Sequence, residues 1–365
     1  MAPAGDRAGP RGALYVGMVA PPWYDVPPRT YGGIEAVVAG LVRGLRDRGH
    51  RVTVIGAGRR VDLRTYDEPP SARIGEPYPE VVHAAEAARL LRGLDVDVVH
   101  DHSLAGPLTA AGRLVPTVVT CHNDVSGELG DYYRGLGSDV SLVAVSSAQR
   151  AHAPDLHWVG RVHNAVDVAA WPFRERKDDW VLWLGRLSPD KGAHLAIEAA
   201  RAAGRRLLLV GRQAGQAERA YFRERVEPLL GPDVEYLGEA EGPLKSELFS
   251  RARCLVLPLL WDEPFGMVMI EAMACGTPVV ALRRGAVPEI VVDGATGYVR
   301  DTPAELPAAI EAVPALDPKA VRARVVRHFD VPVMAEGYER VYRDVTATAT
   351  AAAPSGPRRP LPLGR

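Results

Sequence analysis

The sequence has no hydrophobic run of the length that a membrane-spanning helix needs. Such a helix takes roughly 18 uninterrupted apolar residues, and the best candidate, residues 267–274, is interrupted by Glu271. Residues 1–12 are polar and rich in Pro, Gly and Arg, and they lack the apolar core of a secretory signal. We therefore expect a cytoplasmic protein without a transmembrane segment, for which any membrane contact is peripheral.

Cysteine is also scarce, and the net charge is close to zero. The three cysteines, Cys121, Cys254 and Cys275, form an odd and widely spaced set that fits neither a disulfide framework nor a zinc site. A formal net charge of -1 supplies no overall field for attracting nucleic acid. These features disfavour nucleic-acid partners and indicate an ordinary globular protein.

What the sequence does contain is an alternation of short Val-, Leu- and Ile-rich runs with amphipathic segments. This alternation is typical of βα units and predicts an α/β fold with parallel sheets. We interpret the runs at 14–20, 51–56, 96–100, 116–121, 142–145, 180–184, 207–210, 234–237, 254–257 and 279–282 as strands. A length of 365 residues exceeds what one core usually supports, so we predict two doubly wound domains facing each other across a cleft.

The alternation pauses once, near Val166, where a proline and several charges interrupt it. We place the domain boundary there, which gives domains of residues 13–165 and 166–330. A last helix, at about 334–346, has apolar and aromatic positions at helical spacing and is expected to pack back on the first domain. The two ends, residues 1–12 and 347–365, lack periodicity, which predicts disordered tails.

The most specific motif follows a predicted strand and runs Glu263-Pro-Phe-Gly-Met-Val-Met-Ile-Glu271. Pro264 favours a helix start and Gly266 lets the main chain approach a ligand, so we predict a helix beginning near Gly266. Its free N–H groups favour a phosphate or a sugar hydroxyl. A carboxylate can accept two hydrogen bonds from a vicinal diol, so we assign Glu271 to a ribose and Glu263 to the sugar. The alternative is a solvated helix with ordinary acidic residues.

Two cations follow the strand that opens the second domain, in the segment Gly185-Arg186-Leu-Ser-Pro-Asp-Lys191-Gly192. Loops after parallel strands carry the ligand sites of such sheets. Arg186 and Lys191 are therefore candidates to stabilise the negative charge on a departing diphosphate. They would replace a divalent cation, and we predict no metal. Two solvated surface cations are the alternative interpretation.

In the first half, Gly32 and Gly33 precede an amphipathic segment and can place backbone amides against a diphosphate, although paired glycines also occur in plain turns. His122 follows the strand at 116–121 directly. This position puts an imidazole at the cleft edge, where it can bind a sugar hydroxyl or polarise the reaction centre. A histidine that only caps a strand end is the alternative.

Two further patterns have the spacing of metal ligands. His100 and His102 alternate at a strand end, but no third ligand is identifiable. Asp95 and Asp97 form an Asp-x-Asp pair, but the pair precedes its strand, at the edge of a parallel sheet where ligands do not bind. A helix-to-strand turn explains this pair better than a metal site does.

Taken together, these motifs resemble family 4 of the retaining glycosyltransferases, which have the GT-B fold. The resemblance spans residues 13–345 and rests above all on Gly185 to Gly192, Glu263 to Glu271 and Gly276-Thr-Pro-Val-Val. It implies two Rossmann-like domains, with the acceptor bound by the first and a nucleotide diphosphate sugar by the second. It further implies retention of the anomeric configuration without a metal or other cofactor, with UDP or GDP as the expected nucleotide.

The resemblance also implies roles for single residues. Gly33 lies by the diphosphate, Arg186 and Lys191 neutralise it, and His122 lies beside the transferred sugar. The implied donor-binding residues are Gly32, Gly33, Arg186, Lys191, Glu263, Pro264, Phe265, Gly266, Met267, Val268 and Glu271. The implied catalytic residues are His122, Glu263, Arg186 and Lys191.

The acceptor implied by the resemblance is a natural product, a glycolipid or a cell-envelope precursor. Two other functions stay open at this point. One is a catalytically inert GT-B protein that binds a nucleotide sugar and acts as a partner or regulator, and the other is an epimerase or phosphorylase on the same architecture. The intact set of Arg186, Lys191, Glu263 and Glu271 argues against the inert protein.

Overall fold

The computed structural model describes residues 12–28 and 32–352. Within these ranges the chain forms thirteen β-strands and twelve α-helices. The strands are β1 Tyr15–Val19, β2 Arg51–Ala57, β3 Leu63–Tyr66, β4 Val98–Asp101, β5 Thr117–Cys121, β6 Ser141–Ala144, β7 Trp158–Arg161, β8 Trp180–Leu184, β9 Arg206–Val210, β10 Val234–Tyr236, β11 Cys254–Leu257, β12 Val279–Leu282 and β13 Gly297–Arg300. The helices are α1 Gly33–Asp47, α2 Pro77–Leu91, α3 Glu128–Leu136, α4 Ser147–His152, α5 Ala193–Ala202, α6 Gln216–Tyr221, α7 Gly242–Arg251, α8 Met267–Ala274, α9 Val287–Ile290, α10 Leu306–Ala312, α11 Pro318–His328 and α12 Val331–Ala352.

The strands form two sheets that are wound in the same way. The first has the order β3-β2-β1-β4-β5-β6-β7 and the second the order β10-β9-β8-β11-β12-β13. All of these strand pairs are parallel. The predicted α/β fold with two Rossmann-like sheets is confirmed. In each sheet the order in which successive strands are added reverses once, between β1 and β4 in the first sheet and between β8 and β11 in the second. Open parallel sheets bind ligands beyond the carboxyl ends of their strands at such a topological switch point.

All ten predicted runs correspond to strands, but three strands had no prediction. The missed strands, β3, β7 and β13, are all edge strands. An edge strand has one neighbour and stays partly exposed, so its sequence does not need the continuous apolar run of a central strand. The sequence of β3, Leu-Arg-Thr-Tyr, shows this, since none of its four residues is fully buried.

Helix α12 returns to the first half of the chain and packs on α1. Its buried residues Met334, Ala335, Tyr338 and Tyr342 share one apolar cluster with residues of β1 and α1. The two helices approach closely because position 44 is a glycine, whose missing Cβ would lie 2.8 Å from the Cβ of Ala335. Helix α12 is thereby part of the first core.

Helix α12 is also longer than the predicted helix at 334–346. It continues through 347–352, so the prediction of disorder was wrong for these six residues. Ala is a strong helix former, and the hydroxyls of Thr348 and Thr350 hydrogen-bond to carbonyls one turn earlier. The rest of the predicted C-terminal tail, 353–365, lies outside the described residues, as do residues 1–11 of the N-terminal one.

The chain passes between the two halves at two adjacent points. The segment after β7 forms a short parallel bridge with the start of α12, between Val166 and Asp330. The amide of Val166 donates to the carbonyl of Phe329 (3.0 Å), and the amide of Val331 donates to the carbonyl of Val166 (3.2 Å).

None of the helices in the described ranges combines the length and the apolarity required to cross a membrane.

Candidate active site

Two loops of the second half meet at the topological switch point of its sheet, between β8 and β11. One loop follows β8 and the other follows β11, and the amide of Leu260 donates to the carbonyl of Asp190 across them (2.8 Å). Gly192 has a φ of +68°, and a Cβ at this position would clash with the carbonyl of Pro258. Only glycine allows this approach without strain, so the two loops are held against each other at the carboxyl edge.

The contact between these loops includes an ion pair between Lys191 and Glu263. The two side chains are 16% and 15% exposed, so the pair is partly shielded but still reached by solvent. The ammonium of Lys191 also lies 4.6 Å from the centre of the Trp261 ring, within the range of a cation–π interaction. The structure therefore brings two of the predicted site residues, 72 positions apart, into direct contact.

A third loop holds the backbone of Glu263 in place. After β12, the amide of Ala286 donates to the carbonyl of Glu263 (2.9 Å), and the amide of Gly285 donates to the carboxylate of Asp262 (2.8 Å). A Cβ at Gly285 would clash with the backbone of Glu263. This support was not predicted, although the glycine that follows the apolar run of β12 is a signal for it.

Helix α8 begins where it was predicted. Gly266 is its N-cap residue, with a left-handed φ of +84°, and no side chain in the described ranges caps the helix. Pro264 and Phe265 are buried, and the Phe265 ring packs in the core beside Phe329. Only the main chain at these two positions can contact a ligand, whereas Met267 and Val268, at the open end of the helix, are partly exposed.

Glu271 lies in α8, five residues after the N-cap, which corresponds to about 7 Å along the helix axis. Its two carboxylate oxygens are 2.8 and 2.7 Å from the ammonium of Lys245 in α7. Lys245 was missed, because a single lysine near the start of an amphipathic helix gives no pattern that distinguishes it from a surface residue. In the described part of the chain no contact joins this ion pair to the pair of Lys191 and Glu263.

Arg186 lies on the loop after β8 but is directed to another partner. Its guanidinium is 3.5 Å from the carboxylate of Glu218 in α6, and its side chain is 45% exposed. Glu218 in turn accepts a hydrogen bond from the amide of Ala214, after β9 (2.6 Å). Arg186 and Lys191 thus lie on the loop after β8 and Glu271 lies within α8, and in the described ranges no hydrogen bond or ion pair joins the three side chains.

In the first half, Gly32 and Gly33 stand at the start of α1, and the preceding Tyr31 lies outside the described residues. Gly32 has a φ of +147°, and a Cβ there would lie 2.8 Å from Pro28. Gly33 is exposed, with open space around its missing Cβ. Glu35, for which no role was predicted, is only 3% exposed in the first turn of α1, and burial raises the pKa of its carboxyl to about 7.

His122 stands at the carboxyl end of β5, as predicted, and contacts a second histidine. Its Nε2 lies 2.9 Å from Nδ1 of His102. The predicted alternative of a metal site at His100 and His102 does not fit the contacts of His100, whose Nδ1 and Nε2 lie 2.6 and 2.7 Å from the hydroxyls of Tyr342 and Thr120. Both of its nitrogens are therefore engaged by hydroxyl groups.

A carboxylate from the second half also caps a helix of the first half. The oxygens of Glu289 accept hydrogen bonds from the amides of Ser147 (2.9 Å) and Ala148 (2.8 Å), at the start of α4. His163 lies 3.2 Å from the same carboxylate. Burial alone would raise the pKa of Glu289, but the hydrogen bonds from His163 and the two amides lower it to about 2. No motif in the sequence predicts this contact of Glu289.

The protein has two parallel sheets, with charged side chains and histidines at their carboxyl edges. This architecture is that of a two-domain α/β enzyme of the GT-B class. The model of Glycosyltransferase Family 4 matches residues 31–170, and that of Glycosyl transferases group 1 matches residues 170–324. The two matches adjoin at residue 170 and together cover every strand of the two sheets except β1. The chain therefore belongs to the family 4 glycosyltransferases.

Individual proteins agree with this assignment. The glycogen synthase of Mycobacterium tuberculosis (strain H37Rv) is 30% identical over 305 residues, which are 73% of this chain and 71% of that protein. The phosphatidyl-myo-inositol mannosyltransferase of Mycolicibacterium smegmatis is 29% identical over 321 residues, 78% of this chain and 80% of that protein. The crystal structure of AviGT4, a glycosyltransferase involved in avilamycin A biosynthesis, has a TM-score of 0.70 and 29% identity, and covers 92% of this chain and 98% of AviGT4.

Proposed function

We propose that this glycosyltransferase moves a sugar from a nucleotide diphosphate donor to an acceptor hydroxyl with retention of configuration and without a metal ion. The observation that carries the proposal is the ion pair of Lys191 and Glu263 beside the uncapped start of α8. This position, at the topological switch point of a parallel sheet, combines a cation, a carboxylate and free backbone amides. Such a set suits a ligand that is anionic at one end and rich in hydroxyls at the other.

In the proposed complex, the diphosphate binds the amides at the start of α8 and the side chains of Lys191 and Arg186. Glu263 accepts hydrogen bonds from the sugar, and Glu271 accepts them from the ribose about one and a half turns along the helix. Gly32 and Gly33, at the start of α1, approach the diphosphate from the first half. All four of these charged side chains already form ion pairs within the protein. The donor must therefore replace the ion-pair partners of these side chains when it binds.

In the reaction step, the bond between the sugar C1 and the phosphate oxygen breaks, and the phosphate keeps the electron pair. The acceptor oxygen forms the new bond to C1 on the same face, and its proton passes to the departing phosphate. Lys191 and Arg186 stabilise the charge that develops on the diphosphate, which is the task that a divalent cation has in other transferases. His122 binds the transferred sugar.

The acceptor in this proposal binds the first half and is a natural product, a glycolipid or a cell-envelope precursor. The support for this range is that AviGT4 acts in avilamycin A biosynthesis and that the mycobacterial relative is a mannosyltransferase of phosphatidyl-myo-inositol. The cytoplasmic location and the boundary near Val166 stay predictions.

The experiment that tests the proposal is a thermal-shift screen with UDP, GDP, dTDP and ADP sugars, followed by product analysis with the best donor. A ligand that binds only the folded state raises the melting temperature, so one nucleotide class should give the largest shift. We expect turnover that persists in a chelator, and a product whose anomeric configuration by NMR equals that of the donor. Loss of turnover in the chelator, or an inverted product, would contradict the mechanism. Binding without turnover across an acceptor panel would favour the inert alternative.

A further inference from the structure

The contact between His122 and His102 has a consequence for the chemistry of His122. The two rings are stacked, with centroids 5.2 Å apart and an angle of 27° between their planes. Nε2 of His122 and Nδ1 of His102 are 2.9 Å apart, a hydrogen-bond distance at which one nitrogen must carry the proton and the other a lone pair. Identifying the proton-bearing nitrogen identifies the tautomer of both rings.

The surroundings of His102 decide between the two arrangements. His102 is only 5% exposed, and its second nitrogen, Nε2, is buried without a hydrogen-bond partner in residues 12–28 and 32–352. If Nδ1 of His102 accepted the proton, Nε2 would carry a buried N–H with no acceptor, and unpaired buried N–H groups are the rarer defect in proteins. If Nδ1 donates, Nε2 is left with only an unpaired lone pair. The second arrangement is therefore favoured.

The neighbouring ring of His100 cannot supply the missing partner. Its centroid lies 4.0 Å from that of His102, and its two nitrogens are already engaged by Tyr342 and Thr120. Thr120 also lies 2.7 Å from the hydroxyl of Tyr338. This network packs against His102 and restricts the positions that its ring can take.

We propose that His102 is a positioning residue that donates from Nδ1 to Nε2 of His122 and thereby holds His122 in the Nδ1–H tautomer. His122 then presents a neutral hydrogen-bond donor to an oxygen of the substrate, and it is not the general base of the reaction. The identity of this oxygen, on the transferred sugar or the diphosphate, rests on the proposed function. The tautomer does not.

Two observations agree with a neutral donor at position 122. In the described ranges Nδ1 of His122 has no hydrogen-bond partner within the protein, and the residue is partly exposed, so this nitrogen keeps its hydrogen-bonding capacity for a ligand. Burial lowers the pKa of His122 to about 4. Burial also lowers the pKa of His102, and electrostatic repulsion from the neighbouring His100 and His122 lowers it further. The ring of His122 is therefore uncharged near pH 7.

The direct test is a long-range proton–nitrogen NMR correlation on the full-length protein with 15N-labelled histidine and no ligand. His122→Asn identifies the signals of His122 by their loss. We expect a protonated Nδ1 and an unprotonated Nε2 at position 122. In His102→Leu, the signals of His122 should move toward the Nε2–H form that imidazole side chains favour in water. A protonated Nε2 in the unmodified protein would overturn the proposal, whether or not the Leu variant folds.

A kinetic test uses the different shapes of Asn and Gln. The amide nitrogen of Asn can occupy the position of histidine Nδ1, and that of Gln the position of Nε2. We expect His122→Asn to stay within about tenfold of the unmodified kcat, and His122→Gln to lose about a hundredfold, as for a donor removed from a reaction centre. The reverse order of the two variants would overturn the proposal.

The two tests separate this inference from the proposed function. The NMR experiment needs no turnover, so an Nδ1–H tautomer in a protein that transfers no sugar would support the role of His102 and reject the proposed reaction. An Nε2–H tautomer in an active transferase would do the opposite. His102→Asn, which keeps a hydrogen-bond donor at the position of Nδ1, should preserve the Nδ1–H form of His122 and serves as the conservative control.

Discussion

The two carboxyl edges of this protein handle polar groups in different ways. In the first half, burial shifts the titratable groups at the carboxyl edge toward their neutral forms: it lowers the pKa of His122 to about 4 and raises that of Asp101 to about 6. In the second half, the predicted site residues lie in ion pairs, as Lys191 does with Glu263 and Glu271 with Lys245. The difference follows exposure, because a buried group without a counter-charge is cheaper to keep neutral than ionised.

This contrast indicates a division of tasks. Neutral imidazoles and hydroxyls bind sugar hydroxyls without bringing a fixed charge into the protein. Paired and partly exposed charges can exchange their partner for an anionic ligand, because solvent screens the carboxylate that is left behind. In the proposed complex, the diphosphate of the donor would bind the paired cations of the second edge, and the sugar would lie between His122 of the first edge and Glu263 of the second.

The largest effect should come from removing charge at the second edge. Lys191→Met keeps the length of the side chain but not the cation, and we expect kcat to fall about a thousandfold, since the charge on the leaving diphosphate loses a fixed counter-charge. The matched control is Lys319→Met, which breaks an exposed ion pair with Glu175 elsewhere on the second half. Steady-state kinetics at saturating donor should show no change in the control. An equal loss in both variants would show that Lys191 acts only on stability.

The next effect should be on donor binding through Glu271. Glu271→Gln weakens the hydrogen bonds to the ribose, and bonds to an ionised group contribute about 1.5–3 kcal/mol, or a factor of about 10 to 100 in Kd. Calorimetry with the nucleoside diphosphate and its 2′-deoxy analogue checks the assignment. The unmodified protein should prefer the ribose form, and the variant should bind both forms alike. A variant that keeps the preference would place the ribose elsewhere.

At the first edge, Glu35 should show the cost of burying a carboxyl. Because burial raises its pKa to about 7, the folded state holds a proton that the unfolded state releases above pH 4.5. The stability that Glu35 contributes is complete below that pH and is lost as the pH rises through 7. Glu35→Gln should therefore raise the free energy of unfolding by about 2–3 kcal/mol at pH 8.5 and leave it unchanged at pH 4.5. Urea denaturation at both pH values checks the sign.

Glu289 should show the opposite pH dependence with a smaller magnitude. Its pKa of about 2 in the folded state means that its contribution is complete above pH 4.5 and is lost as the pH falls through 2. Glu289→Gln should lower the free energy of unfolding by about 1–2 kcal/mol at pH 7, after allowance for screening of this half-buried group. The loss should shrink below pH 4. If Glu35→Gln and Glu289→Gln gave the same sign of change at pH 8.5, the contrast between neutral and paired groups would fail.

Most of the fold could be predicted from the sequence, because central strands and helix ends have local causes. A strand buried on both faces needs a continuous apolar run such as that of β11, and the turn before α8 needs a residue that tolerates a left-handed backbone, which is Gly266. Three of the four edge strands escaped prediction, since exposure weakens the apolar signal. The extension of α12 past residue 346 escaped it because Ala and Thr resemble a tail in composition and yet continue a helix that is already docked.

The candidate site could be predicted one residue at a time but not as a set of contacts. Glu263 and Lys191 have recognisable motifs, and their positions after strands place both at one edge. Nothing in either motif predicts that they pair with each other, or that Glu271 pairs with Lys245. Arg186 illustrates the same limit, because its motif is clear while its partner, Glu218, lies on a different helix.

The sequence alone determined the two parallel sheets, the helix start at Gly266 and the chemistry available at the carboxyl edges, because these depend on the residues of short segments. Tertiary structure alone decided the cap that Glu289 places on α4 and the pairing of His102 with His122. The first joins positions 141 residues apart and the second joins two neighbouring strand ends. Such contacts arise only when packing brings distant segments together, and no local preference for helix or strand specifies them.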